Sequence, residues 1–111
     1  MKPDCKIYIL DEKGGKFFGR GPYVLLKKTE ECGSLNQAAK EMAMAYSKAF
    51  RIVKDAETAL GFPLLTRQTG GKDGGGSKLT PEAEAWLAKY AAYEKAVKSY
   101  AEKEYAAVFG D

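Results

Sequence analysis

This sequence predicts a mostly α-helical fold with small β-hairpins: a winged helix-turn-helix with a long C-terminal helix. Three observations carry that reading. Two short helical patterns abut through Gly33-Ser34 and lead into a third, the glycine-rich stretch TGGKDGGGSKLT lies between two β-like runs, and an unbroken helical pattern starts at Pro81. The 111 residues fit one domain. Its parts are an N-terminal β-hairpin (1–20), the helix-turn-helix plus wing (21–80) and the long helix (81–109).

The hairpin is predicted from two β-rich runs, Lys6 to Glu12 and Lys16 to Gly19, around the turn Lys13-Gly14-Gly15. Two roles are open to it, a sheet edge that covers the core or a dimer or partner contact. Gly21-Pro22 then opens a helix through Cys32, with Tyr23, Leu25, Leu26 and Thr29 on one side and Pro22 suited to the first helical position. Gly33 ends this helix, and Ser34 with Gln37 three residues on starts the next as a capping box.

In the second helix, Leu35 to Met42, the small pair Ala38-Ala39 lets another helix approach closely. Ala43-Met44-Ala45 is the expected turn, with Met44 pointing inward, and the third helix runs from Tyr46 to Leu60. Tyr46, Ala49, Phe50, Val53 and Leu60 are expected as its buried stripe, with Ser47, Lys48, Arg51 and Lys54 on the other side. Hydroxyl, ammonium and guanidinium groups near a helix N-terminus suit base edges and phosphates in a major groove, although a merely solvated face has the same pattern.

Gly61-Phe62-Pro63 stops the third helix. Leu64 to Arg67 reads as a strand that returns through Lys78-Leu79, with the glycines at the tip of the hairpin beside Lys72. The tip is not a P-loop, because the glycines are followed by Ser77-Lys78 rather than by lysine and then a hydroxyl residue. Thr80 and Pro81 then form an N-cap and a first helical residue. Trp86, Tyr90, Tyr93, Val97 and Tyr100 follow a heptad-like seam. A helix of about 29 residues reaches roughly 40 Å, more than a small domain needs for its own core. Part of the helix, with this seam, is therefore expected to pack on a second copy, the alternative being a helix folded back on its own domain or frayed after Tyr100.

Composition narrows the function. The net charge of +3 is distributed as +2 on residues 1–39, +3 on 40–80 and −2 on 81–111, so the basic centre is the part suited to a polyanion. There is no histidine, which removes the commonest general base, and Cys5 and Cys32 lack metal-ligand spacing. No enzyme activity, metal or cofactor is expected, and two isolated thiols are expected to be reduced and structural. Ile7 to Leu10 is too short for a signal core or membrane span, so a soluble cytoplasmic protein with no membrane contact is expected.

Taken together, Gly33-Ser34-Leu35, Ala38-Ala39, Tyr46-Ser47-Lys48-Ala49, Glu57, Leu60-Gly61, Pro63-Leu64-Leu65, Arg67 and Leu79-Thr80 resemble the N-terminal DNA-binding domain of LysR-type regulators. Thr69 to Lys72, Gly74 to Gly76 and Leu79-Thr80 are more closely similar to the wing of the ModE, or molybdate-responsive, regulators. The resemblance runs from Gly21 to about Val97. It implies a homodimer on palindromic double-stranded DNA, with contacts from Ser34, Gln37 and Tyr46, and with Ser47, Lys48 and Arg51 near base edges. Lys54 would lie nearer the backbone, and Arg67, Lys72 and Lys78 would serve from the wing.

The chain also departs from the pattern. Ala45 stands where relatives often place a capping serine, Asp73 interrupts the glycine run, and residues 1–111 contain no molybdate-binding sequence. The expectation is a DNA-reading half with no sensor attached, any ligand-sensing or partner protein being separate. A second reading, from another class, is a winged protein-interaction module that uses the aromatic C-terminal helix.

Overall fold

In the computed structural model, which describes residues 1–68 and 76–110, the elements follow the predicted order. β1 (Ile9–Leu10) pairs antiparallel with β2 (Lys16–Phe18), and α1 (Arg20–Cys32), α2 (Leu35–Glu41) and α3 (Tyr46–Leu60) follow. β3 (Leu65–Gln68) and β4 (Gly76–Leu79) form the second antiparallel hairpin, and α4 (Pro81–Phe109) closes the fold. The first hairpin is shorter than expected because Asp11 accepts from the amides of Lys13 and Gly15 at 2.9 and 2.7 Å and tightens the turn. α1 starts two residues before Pro22, which sits in the first turn, where a missing N–H leaves no helical bond unmade.

The hydrophobic core lies where α1, α2, α3 and the start of α4 meet. Leu25 and Leu26 of α1, Leu35, Ala38 and Ala39 of α2, and Ala49, Val53 and Ala56 of α3 are all buried. Leu64 and Leu79 from the base of the second hairpin join Ala83 and Leu87 of α4. Fully burying one such leucine contributes roughly 1.5–3 kcal/mol. The alanines allow α2 and α3 to approach closely, as expected from Ala38-Ala39.

One tight joint sets the wing against the helices. Gly33 has a φ of 73°, the left-handed conformation that suits glycine at a helix end, and its amide donates to the Thr29 carbonyl at 2.8 Å. Its own carbonyl accepts from the Ser77 amide at 2.8 Å. A Cβ on Gly76 would lie 2.6 Å from that same oxygen, so the close approach of β4 requires glycine there.

In the C-terminal helix, two residues of the expected seam pack against β2. Tyr90 is only 2% exposed, with its ring edge-on to Phe18 at 5.0 Å and its hydroxyl donating to the Ile7 carbonyl at 2.9 Å. Trp86 is half-buried, edge-on to Phe18 at 5.4 Å and stacked on Phe17 at 6.1 Å. Both residues therefore pack within their own domain, where the aromatic residues of β2 meet them. Burial, and then the Glu94 carboxylate, push the Tyr90 phenol above its ordinary value, partly offset by Arg20.

Residues 1–8 run along α4, although the sequence suggested a strand starting at Lys6. Pro3, Cys5 and Ile7 alternate with exposed neighbours, and Asp4 pairs with Lys98 at 3.7 Å. Met1, Lys2 and Pro3 share a surface depression with Glu102, Tyr105 and Phe109.

Thr80 ties α4 to the rest. Its hydroxyl accepts from the Ala83 amide at 3.0 Å and donates to the Pro63 carbonyl at 2.8 Å, while its amide donates to the Leu64 carbonyl at 3.0 Å. Thr80→Val keeps the shape and removes both hydroxyl bonds, so it is expected to destabilise the fold by about 1–3 kcal/mol. Urea unfolding measures the loss, and an unchanged midpoint would contradict the role assigned to Thr80.

Candidate nucleic-acid interface

The predicted recognition residues sit on α3, and the turn before it sets the helix direction. Met42 and Met44 are half-buried against the core, and the Met44 amide donates to the Ala39 carbonyl at 2.9 Å. Between them Ala43 has a φ of 53°, the left-handed region that costs a non-glycine residue roughly 1–2 kcal/mol. Turn composition did not reveal this, since alanine is no marker of left-handed backbone.

Ala45 is extended and occupies the N-cap of α3 without a side-chain bond. At the start of α2, by contrast, the Ser34 hydroxyl accepts from the Gln37 amide at 3.2 Å. Gln37 itself is exposed, and Ser34 is half-buried.

Ser47, Lys48, Arg51 and Lys54 are all exposed, on the side of α3 away from Ala49, Val53 and Ala56. Among the described residues, Lys48 and Arg51 have no acidic partner, whereas Lys54 meets Glu57 Oε1 at 3.4 Å. The other oxygen of Glu57 accepts from the Leu64 amide at 2.7 Å, which fixes the end of α3 to the adjoining strand. One flank of α3 thus faces the wing. On the other flank, Ile52 and Asp55 line a depression of about 290 Å³ with Phe17 and Pro22.

The wing flank departs from the expected stripe. Tyr46 and Phe50 are each 40% exposed, and the buried stripe is instead Ala49, Val53 and Ala56 with Leu60 half-buried. The shift follows from Glu57 and Leu64, which bring the wing base, and not the core, against this edge. Arg67 is exposed on β3 and its Nη2 donates to the Tyr46 hydroxyl at 3.1 Å. Lys78 is exposed on β4, directly opposite Thr66. Lys72 and Asp73, with the rest of the wing tip, lie outside the described residues. The structure thus brings Tyr46 and Arg67 into contact, sequence reasoning missed the exposure of Phe50, and α4 contributes no group to this face.

The two thiols stand apart from this surface. Cys32 donates to the Lys28 carbonyl at 2.7 Å and to Glu41 at 3.5 Å; burial first, and then that carboxylate, raise its pKa. Cys5 and Cys32 are both free. Among the described residues, no helix is long and apolar enough to cross a membrane.

Residues 23–84 match the family described as bacterial regulatory helix-turn-helix protein, lysR family. The chain is 44% identical over 71 residues to "Transcriptional regulator ModE" of Haemophilus influenzae, covering 64% of this chain and 28% of that protein. It is 34% identical over 93 residues to "Molybdenum-pterin-binding protein MopB" of Rhodobacter capsulatus, covering 84% and 34% respectively. With "Transcriptional regulator ModE" of Yersinia pestis the identity is 38% over 66 residues, covering 60% and 25%. The chain therefore spans about a third or less of the length of these relatives.

The bare N-cap of α3 has a direct consequence. Ala45→Ser places an acceptor on backbone that is already extended, so it is expected to raise stability by about 0.5–1 kcal/mol. Thermal unfolding tests this, and a lowered midpoint would show that the first turn of α3 has no room for a cap.

Proposed function

The chain belongs to the lysR family of bacterial regulatory helix-turn-helix proteins, and we propose that it reads double-stranded DNA as a transcriptional regulator, bound to a palindromic site as a homodimer. The observation that carries this reading is the outward face of α3, where Ser47, Lys48 and Arg51 are exposed on a helix held rigidly by α2 and the wing base. Arg51 and Lys48 suit bidentate or single contacts to guanine edges, and Ser47 suits either base or phosphate. Lys54, Arg67 and Lys78 supply backbone contacts, as does Lys72 at the wing tip, while Ser34, Gln37 and Tyr46 complete the set. Phosphate contacts confer affinity and salt dependence without sequence preference, so specificity rests with α3.

The proposed dimer uses the side of α4 that its own domain leaves uncovered. Tyr93 and Tyr100 are 55% and 63% exposed, seven residues apart, with Ala92 and Ala96 exposed beside them. Val97 is half-buried at the border of this stripe. A helix of 29 residues in a molecule 59 Å long has room to hold a second copy and to set two recognition helices about one DNA turn apart, roughly 34 Å. Transcription regulation is what the names of two relatives state, and it is what we carry over to the matched helix-turn-helix.

Two measurements test the reading. Fluorescence anisotropy with a duplex selected from a random pool is expected to show affinity that falls steeply with salt. Arg51→Ala should weaken the selected site by about 1–3 kcal/mol while changing non-specific binding little. No duplex affinity at low salt would end the proposal. In sedimentation, the wild type is expected to be dimeric and a Tyr93→Glu/Tyr100→Glu variant monomeric, with weaker binding to the palindrome. A monomeric wild type on DNA would remove the homodimer from the reading.

A further inference from the structure

The wing flank of α3 carries an aromatic strip in which the general DNA reading gives Phe50 no task. Tyr46 and Phe50 lie one turn apart, their ring centres 6.2 Å from each other, and both are 40% exposed. A cation stands at each end of the pair. Arg67 bonds the Tyr46 hydroxyl at 3.1 Å, and Lys54 Nζ lies 5.5 Å from the centre of the Phe50 ring. Glu57 Oε1 holds that ammonium at 3.4 Å, which keeps it beside the ring.

We propose that Phe50 reads thymine in the major groove by packing its ring against the 5-methyl group, with Arg67 and Lys54 at the flanking phosphates. The inference rests on the DNA-reading proposal and adds the base class that this flank selects. Phe50 is about a quarter turn from the buried stripe and belongs to the same exposed N-terminal half of α3 as Ser47 and Arg51. An exposed phenyl ring gains nothing from water or from a phosphate. Of the groups that base edges present in the major groove, the thymine methyl is the apolar one. The cations that bracket the rings favour a polyanion over an apolar protein surface. Tyr46, held by Arg67, positions Phe50 from one side and links this reading to the base of the wing.

The test uses the full chain and its selected duplex, with each thymine replaced in turn by deoxyuridine, which removes only the methyl group. At one or more positions this replacement is expected to weaken wild-type binding roughly four-fold, the equivalent of one lost methyl contact. Phe50→Ala should bind the thymine and deoxyuridine duplexes equally, Phe50→Leu should keep part of the difference, and a thermal melt confirms that each variant is folded. Wild-type indifference to every deoxyuridine would overturn the inference while leaving DNA binding in place. So would a folded Phe50→Ala that still distinguishes the two duplexes. Absence of any duplex binding would remove both the DNA reading and this extension of it.

Discussion

The carbonyl of Gly33 is the point on which the geometry of the interface depends. Gly33 ends α1 in a left-handed conformation, leads directly to the Ser34 cap of α2, and accepts the Ser77 amide of β4. Gly76 passes so close that a side chain there would strike the same oxygen. The backbone of Gly33 thereby turns α1 into α2, and its oxygen seats the wing. From the other side, Glu57 holds the Leu64 amide and Thr80 holds the Pro63 and Leu64 backbone, so the start of β3 is gripped by α3 and α4 alike. The Glu57 and Thr80 side-chain contacts are half-buried, and there an unpaired partner costs more than a satisfied bond contributes. The wing base therefore has little freedom to move relative to α3.

A rigid frame of this kind lets α3 present an unusual mixture of groups. Its outer face is cationic, its core face is built of alanine and valine, and the border toward the wing is aromatic and partly exposed. Left-handed backbone at Ala43 and an uncapped start both weigh against stability. They are offset by Met42 and Met44, which pack against the core on either side of the turn. Local strain is thus supported by tertiary packing, which is why alanine persists where a sequence-based reading would look for glycine.

α4 divides along its length and around its circumference. Its first turns belong to the core through Ala83, Leu87 and Tyr90, and the N-terminal arm covers part of the later turns through Asp4 at Lys98 and Met1 to Pro3 near Glu102 and Tyr105. Tyr93 and Tyr100 remain outside both. The heptad-like spacing that joined Trp86, Tyr90, Tyr93, Val97 and Tyr100 into one seam is therefore split between two surfaces, because the first hairpin supplies Phe17 and Phe18 to one of them.

Much of this protein was legible in its sequence alone. The order of elements and the bounds of α3 and α4 follow from signals only a few residues wide: Gly61 before Phe62-Pro63, Thr80 before Pro81, and Ser34 three residues before the amide that it caps. Such caps act locally, through backbone groups next in the chain, so a linear reading finds them. The cationic residues of α3 were legible for the same reason, since 3.6-residue spacing places them opposite Ala49 and Val53. Which way Tyr46, Phe50, Trp86 and Tyr90 face was decided only in the tertiary structure. Helical periodicity states which residues share a face, but not which neighbour arrives to cover it. Phe18 and Ile7 reach Tyr90 across more than seventy residues of chain, and Arg67 reaches Tyr46 from the wing. The apolar surface on α3 and on α4 is left over from those long-range meetings, and no local spacing encodes it.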